Sequence, residues 1–305
     1  MKQLSIIIPC YNMEKYLITA LDSIRCQSNF DSFCDVYIID DGSHDDSIQI
    51  ANDYIVKYNL KNFKLIQKTN GNWGSVVNYA KNQLNLKTKY VSILDADDYY
   101  KEGLFNHLDG IFKFDYDLVF SGFYEIKNKN KVHKGYITPQ RGNRTLPKQY
   151  LRFPSLIPLC KFFKTEIFQE LDNLKEGVSY QDIILWNKFV DKAQSFYYIK
   201  KPYGYYLNHR EGASSTQPFN EKRINELMII INSLISDDIY VNGYVIALLI
   251  HLKKNTPKHF RNLIKVNQIQ KLKKFKLLWC PLGTRLITKL FAYIYLNKLF
   301  KKSSL

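Results

Sequence analysis

The first hundred residues alternate continuous apolar runs with amphipathic stretches, and this alternation constrains the fold more than any other feature. Leu4, Ser5, Ile6, Ile7 and Ile8 form an apolar, β-branched run closed by Pro9, the pattern of a strand buried on both faces. Comparable runs recur at 36–39, 63–67 and 90–94. Between them, 14–27 places Leu17, Ala20, Leu21 and Ile24 on one helical face. The stretch 45–58 does the same with Ile48, Ala51, Ile55 and Tyr58, and 75–86 reads as a third helix. Strands separated by helices imply right-handed crossovers, so the expected class is α/β, a mostly parallel sheet flanked by helices.

Beyond 98 the regularity loosens. Helices are expected over 104–114, from 165 and over 181–192, and strands over 117–126, 131–137 and 195–199. The stretches 140–148 and 203–215 read as irregular. From 220 onward the pattern is helical only. The expected organisation is an α/β domain over 1–216 and a basic helical C-terminal region over 217–305.

Charge sharpens that division. The chain holds 44 Lys+Arg against 28 Asp+Glu, a formal +16, yet residues 239–305 carry 14 basic residues and no acidic one. The other 238 residues carry 30 basic and 28 acidic groups, so the body is near neutral. This distribution excludes a chain built to coat nucleic acid, and no nucleic-acid module accompanies the basic tail. Five cysteines, odd in number and without a C-x-x-C pair, argue against a disulfide framework or a zinc knuckle. The N-terminal apolar run is too short for a secretory signal, and no stretch approaches the roughly 18–20 apolar residues that span a bilayer. A cytoplasmic location is the expectation.

In open parallel sheets, ligands bind outside the carboxyl ends of the strands. Three polar clusters are expected there: Pro9-Cys10-Tyr11-Asn12, Asp40-Asp41-Gly42-Ser43 and Asp95-Ala96-Asp97-Asp98. The second has good turn chemistry, and a carboxylate there can also accept hydrogen bonds from a nucleobase or ribose. The third crowds carboxylates, which is costly without a compensating cation, and a hard divalent ion with oxygen ligands relieves it. A second D-x-D, Asp115-Tyr116-Asp117, precedes its strand and lies away from the proposed site. Gly71-Asn72-Trp73-Gly74-Ser75-Val76-Val77-Asn78 offers backbone amides at a helix start to a phosphate. Neither the P-loop nor the dinucleotide-binding fingerprint is present. Cys10, although beside the clusters, reads as a packed residue rather than a nucleophile.

Ser5-Ile6-Ile7-Ile8-Pro9-Cys10-Tyr11-Asn12, the D-D-G-S, the N-x-G-S-V-V-N segment and Leu94-Asp95-Ala96-Asp97-Asp98 resemble family 2 glycosyltransferases in order and spacing over about residues 4–100. A fainter match runs to about 215. The resemblance implies a GT-A (Rossmann-like) fold. It also implies a metal-dependent, inverting transfer of a sugar from a nucleotide-diphospho-sugar, expected to be a UDP-sugar. The acceptor would be a hydroxyl of a glycan or lipid-linked molecule in bacterial surface polysaccharide synthesis, and the cofactor Mn²⁺ or Mg²⁺. Pro9, Tyr11, Asp40 and Asp41 would line the nucleoside pocket, and Asn72, Gly74 and Asn78 would sit near the donor. Asp95 would lie near the ribose and Asp97 would ligate the metal. Tyr180-Gln181-Asp182 with Leu185-Trp186 occupies the place of the family's E-D…W segment, which makes Asp182 the implied catalytic base. Gln181 stands where the family has Glu. Taken by itself, Asp182 is an acid favoured at a helix N-terminus. Tyr205-Tyr206, His209-Arg210 and Ser214-Ser215 resemble the family's donor-covering loop, so His209 would add a metal ligand and Arg210 would pair with the diphosphate.

Two other readings stand beside this one. A nucleotidyltransferase shares an α/β nucleotide-binding core and an acidic metal site. A non-catalytic, membrane-associated scaffold with a degenerate donor pocket is kept open by Gln181. The tail interleaves Lys271, Lys273, Lys274 and Lys276 with Ile269, Leu272, Phe275, Leu278 and Trp279. Such basic amphipathic segments can lie on an anionic membrane, each near-surface Lys or Arg contributing about 1 kcal/mol. The expectation is a peripheral position on the inner face of the cell membrane; the alternative is a tail that packs on the α/β domain and solvates its lysines.

Overall fold

The computed structural model describes residues 2–127, 130–134 and 157–207, with Lys222, Asn225, Glu226 and Ile229, and for 127 and 130–134 the backbone alone. The chain divides after Gln217, and the fold described is that of the first unit, Met1–Gln217. The helices expected within 217–305 and the loop at 140–148 lie outside the described residues.

Strands β1 (Leu4–Cys10), β2 (Cys34–Asp40), β3 (Phe63–Gln67) and β4 (Tyr90–Ile93) run parallel in the order β3-β2-β1-β4. Parallel neighbours need a crossover between them. Helix α1 (Leu17–Arg25) and the short α2 (Phe30–Phe33) connect β1 to β2. Helix α3 (Ser47–Lys57) connects β2 to β3, and α4 (Asn72–Gln83) connects β3 to β4. The first strand runs through Pro9 instead of stopping at Ile8. Ile7 is the last β1 residue paired with β4, and Ile7 O accepts from Leu94 N on that side. Pro9, two residues on, turns its missing N–H to the same side, where β4 has already ended, so no ladder bond is lost.

Leu4, Ile6, Ile8 and Cys10 share one sheet face by period-two alternation and join a core with Leu17, Ala20, Leu21 and Ile24 of α1. Ala51 and Tyr54 of α3 complete that layer. Tyr58, expected to face inward, is exposed, because α3 ends at Lys57 and the cap residue leaves the apolar stripe. The Arg25 guanidinium lies over its ring, 4.1 Å from the centroid. Helix α5 (Leu104–Phe112) also packs into this layer. Its first amides are satisfied by the buried Gln27, whose Oε1 accepts from Leu104 N at 3.0 Å and Phe105 N at 3.4 Å. Gly103 at the cap has no side chain to do so. The opposite sheet face meets α4.

The second half of the sheet mixes directions. Strand β8 (Lys161–Lys164) enters antiparallel between β4 and β6 (Leu118–Lys127), pairing Phe162 with both Ser92 and Val119. Strand β9 (Phe196–Leu207) runs parallel to β6, and its end pairs antiparallel with β5 (Tyr99–Tyr100). Strand β7 (Asn130–Lys134) pairs on β6. Residues 203–207, expected to be irregular, therefore belong to a strand. A glycine is required at 204, because a Cβ there would lie 2.7 Å from Cys160 Sγ and 2.8 Å from Leu159. Helices α6 (Thr165–Gln169) and α7 (Gln181–Lys192) pack with α4. The whole is the expected α/β sheet flanked by helices. Among the described residues no helix is long and apolar enough to cross a membrane.

Candidate active site

The carboxyl ends of β1, β2 and β4 converge, as a parallel sheet dictates. After β1, Asn12 takes a left-handed backbone (φ 54) and laces onto the β2 loop. Its N–H donates to Ser43 Oγ at 3.0 Å, and its Oδ1 accepts from His44 N at 2.8 Å. Pro9 stays half-buried and Tyr11 is exposed, its ring edge-on to His44. Burial pushes the Cys10 thiol up to about 12, so it is an inert packed residue at neutral pH.

Asp40 and Asp41 are both buried and divide two tasks. Asp40 Oδ2 accepts from Gly42 N and Ser43 N, each at 3.1 Å, and Gly42 takes φ +77 to close the turn. Asp40 Oδ1 is buried without a hydrogen-bond partner. Asp41 Oδ1 accepts from Lys68 Nζ at 2.6 Å and Gly71 N at 3.1 Å, which fixes the loop leading into α4. Lys68 also donates to Ser75 Oγ at 2.8 Å. Sequence reasoning did not single out Lys68.

Gly71 permits this close approach, since a Cβ there would fall 2.6 Å from Ser75 Oγ. Asn72 opens α4 with φ 67. Gly74 faces the start of α7, where a Cβ would meet Gln181 Cγ at 3.0 Å. Asn78 is buried and binds Leu174 through both ends of its amide, at 2.9 and 2.8 Å. It also donates to Glu176 Oε1 at 3.1 Å. Gly71, Gly74 and Asn78 thus dock the segment that leads into α7, Gly71 through its carbonyl to Gly177 N at 2.9 Å.

Beyond β4, Asp95 Oδ1 accepts from Trp73 Nε1 at 2.8 Å, a contact with no counterpart in the sequence reading. Asp98 is buried, with Oδ1 accepting from Leu207 N at 3.0 Å and Oδ2 without a partner. Burial and then Asp97 push Asp95 up to about 7, against the pull of the Trp73 indole. Burial, Asp97 and Asp95 hold Asp98 well above the usual carboxylate range. The Tyr206 hydroxyl on β9 is pushed up by burial and by the same three carboxylates. The second D-x-D is structural. Asp115 pairs with Lys164 at 2.9 Å and Lys89 at 3.2 Å, while Asp117 Oδ2 accepts from Gln194 N and Ser195 N.

Among the described residues no group of three or more His, Cys, Asp or Glu side chains is arranged to enclose a metal ion. Asp95 is committed to Trp73, and Asp98 turns toward β9. The donor set nevertheless suits a hard cation. The acids are crowded enough to hold Asp95 and Asp98 up, and Asp98 Oδ2 is buried without a hydrogen. Asp97, at the centre of that field, is the residue that could hold such an ion together with ligand oxygens. His209 and Arg210 lie outside the described residues.

Asp182 stands in the first turn of α7, where the helix N-terminus favours a negative charge. Gln181, in the place of the family Glu, is buried, and its Oε1 accepts from Lys175 N at 3.1 Å, holding the approach to α7. Burial pushes Asp182 up to about 6, and Lys161 pulls it down. Lys161 is 1% exposed on β8. Its Nζ lies 4.3 Å from the centroid of the Trp186 ring and donates to Ile157 O at 2.5 Å. Burial pushes Lys161 down to about 7, and Asp182 and Asp95 hold it up. Asp182 also raises Asp95, so the end of β4, the strand β8 and the start of α7 share one electrostatic site.

The comparisons with known proteins agree with this architecture. The model of glycosyl transferase family 2 matches residues 5–172, and the chain belongs to that family. It is 31% identical over 281 residues to an uncharacterized glycosyltransferase of Mycoplasma genitalium, MG025, covering 91% of this chain and 90% of that protein. It is 24% identical over 278 residues to the minor teichoic acid biosynthesis protein GgaA of Bacillus subtilis, covering 86% of this chain and 61% of GgaA. The crystal structure of S. aureus TarS 1–349 in complex with UDP-GlcNAc superposes with a TM-score of 0.66 at 21% identity, covering 88% of this chain and 78% of that one. This likeness establishes the GT-A fold. The protein is a transferase of the nucleotide-sugar class, and family membership decides against the nucleotidyltransferase reading.

Proposed function

We propose that the protein is a metal-dependent, inverting glycosyltransferase that moves a sugar from a UDP-sugar to a hydroxyl of a glycan or lipid-linked acceptor in surface polysaccharide synthesis. The observation that carries the reading is that Asp182 at the start of α7 and Asp95 at the end of β4 each act on the charge of the buried Lys161, so that both lie at one site. TarS, bound to UDP-GlcNAc on the same fold, supports the choice of donor, and GgaA supports the class of acceptor.

In this reading Pro9, Tyr11, Asp40 and Asp41 form the nucleoside end of the donor site. Asp40 and Asp41 are already locked by their hydrogen bonds, so that end needs little reorganisation. Asn72 opens α4 on the donor side, and Gly74 and Asn78 shape that side by holding the 174–177 segment. Asp95 meets the ribose, and Asp97, joined by His209, would hold Mn²⁺ or Mg²⁺. The bound ion would neutralise the diphosphate charge that develops as the sugar leaves. Arg210 would pair with the same diphosphate. Asp182 takes the proton from the acceptor hydroxyl, which attacks the anomeric carbon on the face opposite the diphosphate. Its ordinary charge is restored as the proton passes to solvent. A base held near pH 6 is largely ionised at neutral pH yet still basic enough to accept a proton.

The domain over 1–216 would supply this chemistry, and the region over 217–305 would hold it peripherally on the cytoplasmic face of an anionic membrane. Its support is the run of 14 basic and no acidic residues over 239–305. The function is tested by a UDP-sugar panel with Mn²⁺, measuring UDP release with and without a chelator. Chelator-sensitive release from at least one donor is expected; undiminished release in chelator contradicts the metal assignment, and release from no donor contradicts the choice of UDP. Flotation with anionic but not neutral liposomes, lost on truncation at Ile239, tests the tail.

A further inference from the structure

Lysine is among the residues least often fully buried, and an apolar side chain of similar size usually fits such a place at no cost in stability. Lys161 departs from that. It belongs to a four-residue strand whose other members include Phe162 and Phe163, and it is sealed to 1% exposure. Its ammonium lies over the Trp186 ring, and Ile157 O takes one of its hydrogens. Trp186 is four residues after Asp182 on α7, so indole and carboxylate share one helical face. An ammonium over that indole therefore lies on the side of the helix that carries the carboxylate one turn earlier.

We propose that Lys161 is a positioning residue for sugar transfer: its buried ammonium, seated on Trp186 at the helix face that carries Asp182, is the counter-charge that keeps the base Asp182 a carboxylate and aims it at the acceptor. This rests on Asp182 being the base.

The charges around the pair are few. Lys161 and the N–H groups of Asp182 and Ile183 favour the ionised form of Asp182. Asp182, Asp95 and the Cys160 thiol act on Lys161. The helices packed on α7 bring their charges to its other end: Lys81 of α4 acts near Lys188, and Glu170, just past α6, pairs with Lys192 at 3.4 Å. Of the groups that act on Asp182 among the described residues, Lys161 is thus the one cation. Removing it leaves a desolvated carboxylate without its counter-charge, so Asp182 keeps its proton to higher pH and the base is lost from the acid side first.

The test uses the full chain with UDP-GlcNAc and Mn²⁺, reading kcat for UDP release against pH and, separately, UDP binding. Lys161→Met removes the charge at similar volume. Lys161→Gln removes it while keeping a donor for Ile157 O, and carries the test should the Met variant not fold. Both are expected to bind UDP within about twofold of the parent. Both should lose about threefold or more in kcat at pH 6.5 and shift the acid limb up by about one pH unit or more. Lys161→Arg, which keeps the charge, should leave the limb in place. An unmoved limb in the charge-removing variants, or UDP binding lost in step with kcat, overturns the proposal. Asp182→Asn separates the two assignments. If it turns over at the parent rate, the base assignment fails and the lysine's role with it. If it is inactive while the Lys161 variants keep the parent profile, the lysine assignment alone fails.

Discussion

The carboxylates that end β2 and those that end β4 lie along the same sheet edge, but the fold treats them differently. Asp40 is wired into the amides of its own turn, and Asp41 into Lys68 and the amide of Gly71 on the loop after β3. Asp95 and Asp98 are held next to one another and to Asp97, pushed toward their neutral forms. A site whose polar groups are largely satisfied, as here except for Asp40 Oδ1, is preorganised and changes little on binding. A site whose charges oppose one another is completed by a ligand of opposite sign. In the proposed function the nucleoside end would thus be built largely in advance, whereas the diphosphate end is where charge would have to arrive for the chemistry to proceed.

That contrast can be broken at each end. The largest effect is expected at the chemical end. Asp182→Asn should lower kcat by about 10²–10⁴-fold with donor binding preserved, as for loss of a general base. In the parent enzyme, kcat should rise with pH through about 6: a raised value means Asp182 is protonated, and no base, below it. A flat profile between pH 5 and 7 would contradict this assignment.

At the prebuilt end, Asp41→Ala strips Lys68 and Gly71 N of their acceptor. A loss of about 2–3 kcal/mol in unfolding free energy is expected, read by denaturant titration, together with weaker donor binding. Gly71→Ala should cost less, about 1–2 kcal/mol, because Ser75 must shift to admit the Cβ. It should raise the donor KM more than it lowers kcat. The smallest effect is expected at the other D-x-D. Asp115→Asn removes half-exposed ion pairs with Lys89 and Lys164, so stability should fall by less than about 1 kcal/mol with kcat unchanged. A large kcat loss there would mean that the two acidic motifs had been assigned the wrong way round.

The sequence made the same contrast partly legible. The parallel strands and their crossovers follow from the apolar runs, since a strand buried on both faces announces itself by composition. The limits of α7 could be read to the residue, because the apolar period runs unbroken from Gln181 to Lys192. Strand β8 was hidden: Lys161–Lys164 is short, flanked by lysines, and paired with residues about 40 and 70 positions away. The end of β9 looked irregular because its Gly and Tyr residues answer to β5 and Cys160 rather than to a local pattern. Within the site, the clusters after β1, β2 and β4 were visible because each is local. Lys68, Trp73 and Lys161 were not, because each acquires its meaning from a partner brought by the fold: Asp41, Asp95 and Asp182. The role of Gly74 and Asn78 in holding the approach to Asp182 depends likewise on contacts across about 100 residues.

The central claim, that donor capture and proton removal reside in separate parts of this site, is tested most directly by calorimetric titration of UDP in the presence of Mn²⁺ against Asp97→Ala and Asp182→Asn, with kcat measured on the same preparations. The account predicts that Asp97→Ala loses Mn²⁺-dependent UDP binding and turnover together, whereas Asp182→Asn binds UDP as the parent does and does not turn over. Equal binding by both variants, or a Asp182→Asn variant that loses UDP along with its activity, would contradict it.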